Sequence, residues 1–94
     1  VIGAVLDMRY GQDGAPIVTD EEAGGDAVIP GGPADKAGLE AGDLIVEFDG
    51  QKVADSTELR LLLSQKQPGD KVKVGYERDG KKRTTTVTLG AAKD

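Results

Sequence analysis

Apolar and polar positions alternate in pairs along residues 1–10, where Ile2, Ala4, Leu6, Met8 and Tyr10 share one side against Val1, Gly3, Val5, Asp7 and Arg9. A period of two predicts a strand. Residues 11–25 carry four Gly, one Pro and the acidic run Asp20-Glu21-Glu22 around the branched Ile17-Val18-Thr19, the composition of a long mobile loop with room for one short strand. Residues 26–29 then read as a strand. Between Pro30 and Gly50 the local chemistry is denser: Pro33 fits the first position of a helix, Gly38 the left-handed position that ends one, and Leu39 the residue that folds back on that turn. Residues 33–37 are therefore one helical turn, and Gly42-Asp43 leads into Leu44-Ile45-Val46-Glu47-Phe48, a short branched run predicted to be a strand buried on both faces.

Asp49-Gly50 closes that strand with a strong two-residue hairpin signal, and residues 51–53 return briefly. Asp55-Ser56-Thr57-Glu58 has the form of a capping box. The helix it opens, ten or eleven residues long, carries Leu59, Leu62 and Leu63 on one side and is stopped by Pro68-Gly69. Val72, Val74 and Tyr76, then Thr85, Val87 and Leu89, alternate with polar residues on either side of Asp79-Gly80, which predicts a hairpin. Residues 90–94 have nothing to bury and read as a frayed tail or linker. The expected architecture is mostly β with α: five or six short antiparallel strands in a small sandwich or partly open barrel capped by two helices.

The run Gly-Gly-Pro-Ala-Asp-Lys-Ala-Gly-Leu, followed by Ala-Gly-Asp-Leu-Ile-Val-Glu-Phe-Asp-Gly, resembles the central signature of bacterial PDZ domains, above all those of HtrA-type (DegP-like) serine proteases. The resemblance covers residues 1–89 and implies the bacterial, permuted order of elements, in which the first strand is the groove strand. It further implies binding of C-terminal or extended apolar peptide segments by strand addition, in a parent that is an extracytoplasmic serine endopeptidase. By the match to the family's apolar-Gly-apolar loop, the N–H groups of Ile2, Gly3 and Ala4 would hold a peptide carboxylate, with Val5, Leu6, Asp7 and Met8 continuing the groove strand. Ser56, Arg60 and Leu63, spaced four and three, would face them from the helix, with Leu63 flooring the pocket and Ser56 and Arg60 meeting side chains further back along the peptide. Replacing Gly3 would distort the loop and leave the Pro30 to Gly50 stretch folded. Without the resemblance, Ile2, Ala4 and Leu6 read first as the core face of an edge strand. The other open readings are an intramolecular or oligomerisation module and a PDZ domain from another protease class, a membrane metalloprotease or a C-terminal processing protease.

Composition narrows the chemistry. The 94 residues suffice for one modest core, built from Val, Ile, Leu and Ala because there is no Trp, one Phe and two Tyr. With no His there is no imidazole for a Ser-His-Asp triad, and with no Cys there are no disulfides or thiolates. A Ser64 and Lys66 pair, two apart on a helix, faces different directions. The acidic run lacks the alternating oxygen pattern of a calcium loop, so neither metal nor cofactor is expected. The net charge of −5 argues against nucleic acid, and no 18-residue apolar run predicts membrane contact. The charge is uneven: residues 71–83 hold six basic side chains against two acidic, and residues 7–26 six acidic against one basic. The basic hairpin is either a solvated, edge-protecting face or a docking face for the parent's protease domain.

Overall fold

The structure, a computed structural model, describes residues 2–7 and 13–90. In chain order its elements are β1 (Ala15–Pro16), α1 (Asp20–Ala23), α2 (Pro33–Lys36), β2 (Leu44–Phe48), β3 (Gln51–Lys52), α3 (Ser56–Ser64), β4 (Lys71–Arg78) and β5 (Lys81–Thr88). The strands form one antiparallel sheet ordered β1-β2-β4-β5, with β3 hairpinned onto β2. The expectation of an antiparallel, helix-capped fold holds, as an open sheet with three short helices.

The core follows the alternation. Val72, Val74 and Tyr76 of β4 share one buried cluster with Val87 and Leu89, with Ile45 and Phe48 of β2, with Val53, and with Leu59 of α3. Both Asp-Gly hairpins adopt the turn their sequence dictates, with Asp49 and Asp79 at φ 54° and 53°. β2 is not buried on both faces, because a register shift between Ile45 and Glu47 bulges the strand at Val46 and leaves Glu47 exposed.

Around α2 the local rules are obeyed in full. Pro33 stands at the first helical position. Beyond the last turn, Gly38 at φ +88° lets its own N–H and that of Leu39 bond back to Asp35 O and Ala34 O at 3.0 Å each. Leu39 is thereby buried. The loop that follows is pinned by an ion pair the sequence reading missed. Asp43, 2% exposed, accepts from Arg78 Nε at 2.9 Å and from the terminal Nη2 at 2.7 Å, and its Oδ2 also accepts from Glu40 N at 2.8 Å. Arg78 Nη2 donates in addition to Gly38 O, and the guanidinium lies 5.3 Å from the Tyr76 ring centroid. The Asp43 hydrogen bond raises the guanidinium pKa further above its already high value.

Residues 13–25 differ from the expected mobile loop. Ala15, Ile17 and Val18 are buried, β1 pairs with β2 at Ala15↔Ile45, and α1 carries the reciprocal capping box of Thr19 and Glu22. Ile17 and Val18 supply the apolar anchor, and Thr-Asp-Glu-Glu is itself the box signature. Conversely, α3 has only half of its predicted box: Asp55 accepts from Glu58 N at 2.8 Å, whereas the Glu58 side chain reaches past the cap to Ala54 N. At nine residues it is shorter than predicted. Residues 91–94 of the predicted tail lie outside the described residues.

Candidate peptide groove

Residues 2–7 do not form a regular strand, but two isolated bridges hold them extended, Ala4↔Val28 and Leu6↔Ile17. The hydrogen bonds of both bridges come from the flanking residues. Val5 N donates to Ala27 O and Ile29 N to Gly3 O, while Asp7 N donates to Pro16 O and Val18 N to Val5 O. Backbone groups along an extended chain point alternately to its two sides, so the N–H and C=O of Ala4 and Leu6 face away from the domain body. Among the described residues, the N–H groups of Ile2, Gly3, Ala4 and Leu6 meet no backbone acceptor. This is an open strand edge.

Across from that edge lies α3, and between them runs a groove of about 790 Å³. Residues 2–6 form one wall, and Arg60, Leu63 and Ser64 the other. Lys66, Gln67, Pro68 and Leu89 line its end, where Lys66 is ion-paired to Asp49. Ile2 is buried, and Ala4, Leu6 and Leu63 are half-buried against the core, so the groove is apolar beneath an unpaired backbone. Arg60 is exposed and makes no ion pair among the described residues.

Of the residues singled out from sequence, Ile2, Gly3, Ala4, Val5, Leu6, Arg60 and Leu63 therefore share one groove. Asp7 does not line it, and Met8 lies outside the described residues. Ser56 is placed differently from its expected part: it is 2% exposed, and its Oγ donates to Asp7 O at 2.5 Å, which ties the start of α3 to the N-terminal segment. A small hydroxyl at a helix start signals such a local anchor as readily as a ligand contact.

Gly3 lies at the groove but also packs against α2, a contact its sequence does not announce. At φ +78° it occupies a region that L side chains avoid, and a Cβ there would stand 2.9 Å from Pro33 Cδ. Ala34 N, in the first turn of α2, donates to Ile2 O at 2.8 Å. The loop rests directly on α2, so a substitution at Gly3 cannot spare the Pro30 to Gly50 stretch. Further along, Thr85 Oγ1 donates to Ala37 O at 2.7 Å, and α2 thus joins the loop to the β4–β5 hairpin. Ile29, Gln67, Pro68 and Leu89 were not anticipated at the groove; nothing in their local spacing marks them, since only the fold brings them there.

The described residues thus set an open strand edge beside a helix, with a Gly-containing loop at one end, and the chain belongs to the PDZ domain family, whose model matches residues 1–89. It is 48% identical over 64 residues to a protein of Marinomonas sp. (strain MWYL1) named a probable periplasmic serine endoprotease, DegP-like; the match takes in 68% of this chain and 14% of that protein. The chain thus corresponds to about a seventh of the length of that relative. Among solved structures, an HtrA-type protease, AlgW, with a decapeptide superposes over 100% of this chain and 30% of its own, at a TM-score of 0.78 and 24% identity. The PDZ domain of an SdrC-like protein from Listeria monocytogenes matches over 88% of this chain and 78% of its own, at a TM-score of 0.66 and 30% identity.

Proposed function

We propose that this domain binds the C-terminal ends of extended apolar polypeptides by strand addition, as the substrate-binding or regulatory domain of an HtrA-like, extracytoplasmic serine protease. The observation that carries the reading is the coincidence of an unpaired strand edge at Ala4 and Leu6 with an apolar groove against α3. A peptide running antiparallel to residues 4–7 would exchange main-chain bonds with Ala4 and Leu6. Its carboxylate would then meet the N–H groups of Ile2, Gly3 and Ala4, and its last side chain would enter the space between Leu6 and Leu63. Arg60 would face a side chain further upstream and favour an acidic one there, by the modest amount of an exposed pair. Names of the relatives, and the decapeptide of the AlgW structure, support the parent and the ligand class. Hydrolysis is left to another domain, since this chain has no His.

The test is titration of the 94-residue chain with apolar hexapeptides, free acid against C-terminal amide, followed by backbone amide shifts. Amidation removes a charge-assisted bond and should cost about 1–2 kcal/mol, roughly 5- to 30-fold in affinity. Shifts should map to residues 2–6 and α3. Equal binding of acid and amide would reject carboxylate recognition. Shifts confined to β5, whose eight residues form the open basic edge of the sheet, would favour a docking module in its place.

A further inference from the structure

The sheet has a second open edge, far in sequence from residues 2–7. β5 is its last strand, eight residues long, with neither a Pro nor a bulge in its pairing with β4. Which of its backbone groups are free follows from register. Asp49 N donates to Lys73 O, so Lys73, and with it every second residue of β4, turns its backbone toward β2. The ladder to β5 therefore uses Val72, Val74, Tyr76 and Arg78, whose partners are Val87, Thr85, Arg83 and Lys81. That leaves the N–H and C=O of Lys82, Thr84, Thr86 and Thr88 pointing out of the sheet, and none of these four N–H groups meets a backbone acceptor among the described residues.

One end of this edge is charged and the other neutral. Lys81, Lys82 and Arg83 are exposed and make no ion pair among the described residues; Glu77, across from Lys82, makes none with it. Thr84, Thr86 and Thr88 are exposed, uncharged and branched, and so suit a further strand. Cations on an edge keep strands apart. Here they discriminate, because a second copy of the chain would line the same seam with its own cations, whereas an acidic strand would neutralise them. We infer that β5 is a second docking edge, which takes an extended segment of another polypeptide with acidic residues beside residues 81–83 and uncharged, branched ones beside residues 84–88. Antiparallel addition puts the acids at the C-terminal end of that segment. Lys82 stands on one face of the sheet and Lys81 and Arg83 on the other, so consecutive acids each find a cation. The inference is independent of the groove reading, since it uses none of the groove's residues.

The probe is the peptide Thr-Val-Thr-Val-Thr-Glu-Asp-Glu, acetylated and amidated so that it has no terminal carboxylate, compared with the same peptide ending in Gln-Asn-Gln. On the 94-residue chain in about 20 mM salt the acidic probe should bind about 5-fold or more tightly than the neutral one, and the ratio should shrink in about 0.5 M salt. Backbone amide shifts should fall on Lys82, Thr84, Thr86 and Thr88 and spare residues 2–6. Lys81→Gln, Lys82→Gln and Arg83→Gln combined, all at exposed positions, should bring the ratio toward one. N-methylation of the second and third Thr of the probe, whose N–H groups face β5 in this register, should weaken binding about 10-fold or more; N-methylation of its two Val, whose N–H groups face away, should not. Equal binding of the acidic and neutral probes, equal tolerance of the two methylations, or shifts confined to residues 2–6 would overturn the inference. So would concentration-dependent pairing of the chain in sedimentation with the same β5 amides shifting, which makes a second copy the occupant.

Discussion

Replacing Gly3 by Ala adds one methyl group, and its consequences can be worked out before the measurement. At φ +78° an L residue pays for the left-handed conformation, about 1–2 kcal/mol, and the new Cβ, 2.9 Å from Pro33 Cδ and 3.3 Å from Pro33 N, must push against α2. Overpacking of this kind costs about 1–3 kcal/mol, so the variant should lose roughly 2–5 kcal/mol. A domain of this length has about 5–14 kcal/mol in hand, and Gly3→Ala should fold with a visibly lowered urea midpoint. The two contributions separate in a double-mutant cycle. Pro33→Ala removes Cδ, the nearest obstacle, and should recover the overpacking part of about 1–3 kcal/mol while the dihedral part remains. Peptide affinity, measured on the same samples well below the urea midpoint, should fall in Gly3→Ala, because the displaced loop no longer presents its N–H groups together. A Gly3→Ala midpoint indistinguishable from wild type, or zero coupling with Pro33→Ala, would refute the argument that the loop and α2 are in contact.

Arg78→Ala should destabilise the chain by about 3–5 kcal/mol, because it strands Asp43 in a buried site with only the Glu40 N–H for company; thermal melts check the value, and a loss under about 1 kcal/mol would mean water reaches Asp43 freely. Hydrogen exchange should show Ile17 and Val18, whose N–H groups donate to Asp43 O and Val5 O, protected to an extent comparable with the pairs of β2; fast exchange there, with β2 slow, would contradict the packing of β1 against the sheet.

Much of this fold is legible because its signals are local. The Asp-Gly turns, the Pro33 start and Gly38 stop of α2, and the alternation of β4 and β5 each depend on residues within a few positions of one another. What escaped the sequence depends on distant partners: Asp43 is read locally as a turn residue, and only the return of β4 brings Arg78, 35 positions later, onto its carboxylate. Ile17 and Val18 form an apolar pair too short for a period, so their burial emerges only when β2 and the N-terminal segment close around them. Thr19 to Glu22 is the exception, a legible capping box overshadowed by the glycines around it. For the groove, Ile2 to Leu6, Arg60 and Leu63 came from the resemblance and the helical spacing together. Ser56 shares the spacing of Arg60 and Leu63 but sits at the first turn of α3, where the nearby Asp7 carbonyl claims its hydroxyl.

Ile2 and Leu89–Gly90 border the same groove, although 87 positions separate Ile2 from Leu89. Any polypeptide joined before the one or after the other departs from the rim of that groove. Anything lying in the groove would stand beside the roots of both connections. For the experimenter the same topology carries a warning. A purification tag at either end lies within reach of the groove, where an apolar C-terminal extension could fold back and act as a tethered competitor, at an effective concentration in the millimolar range for a short linker.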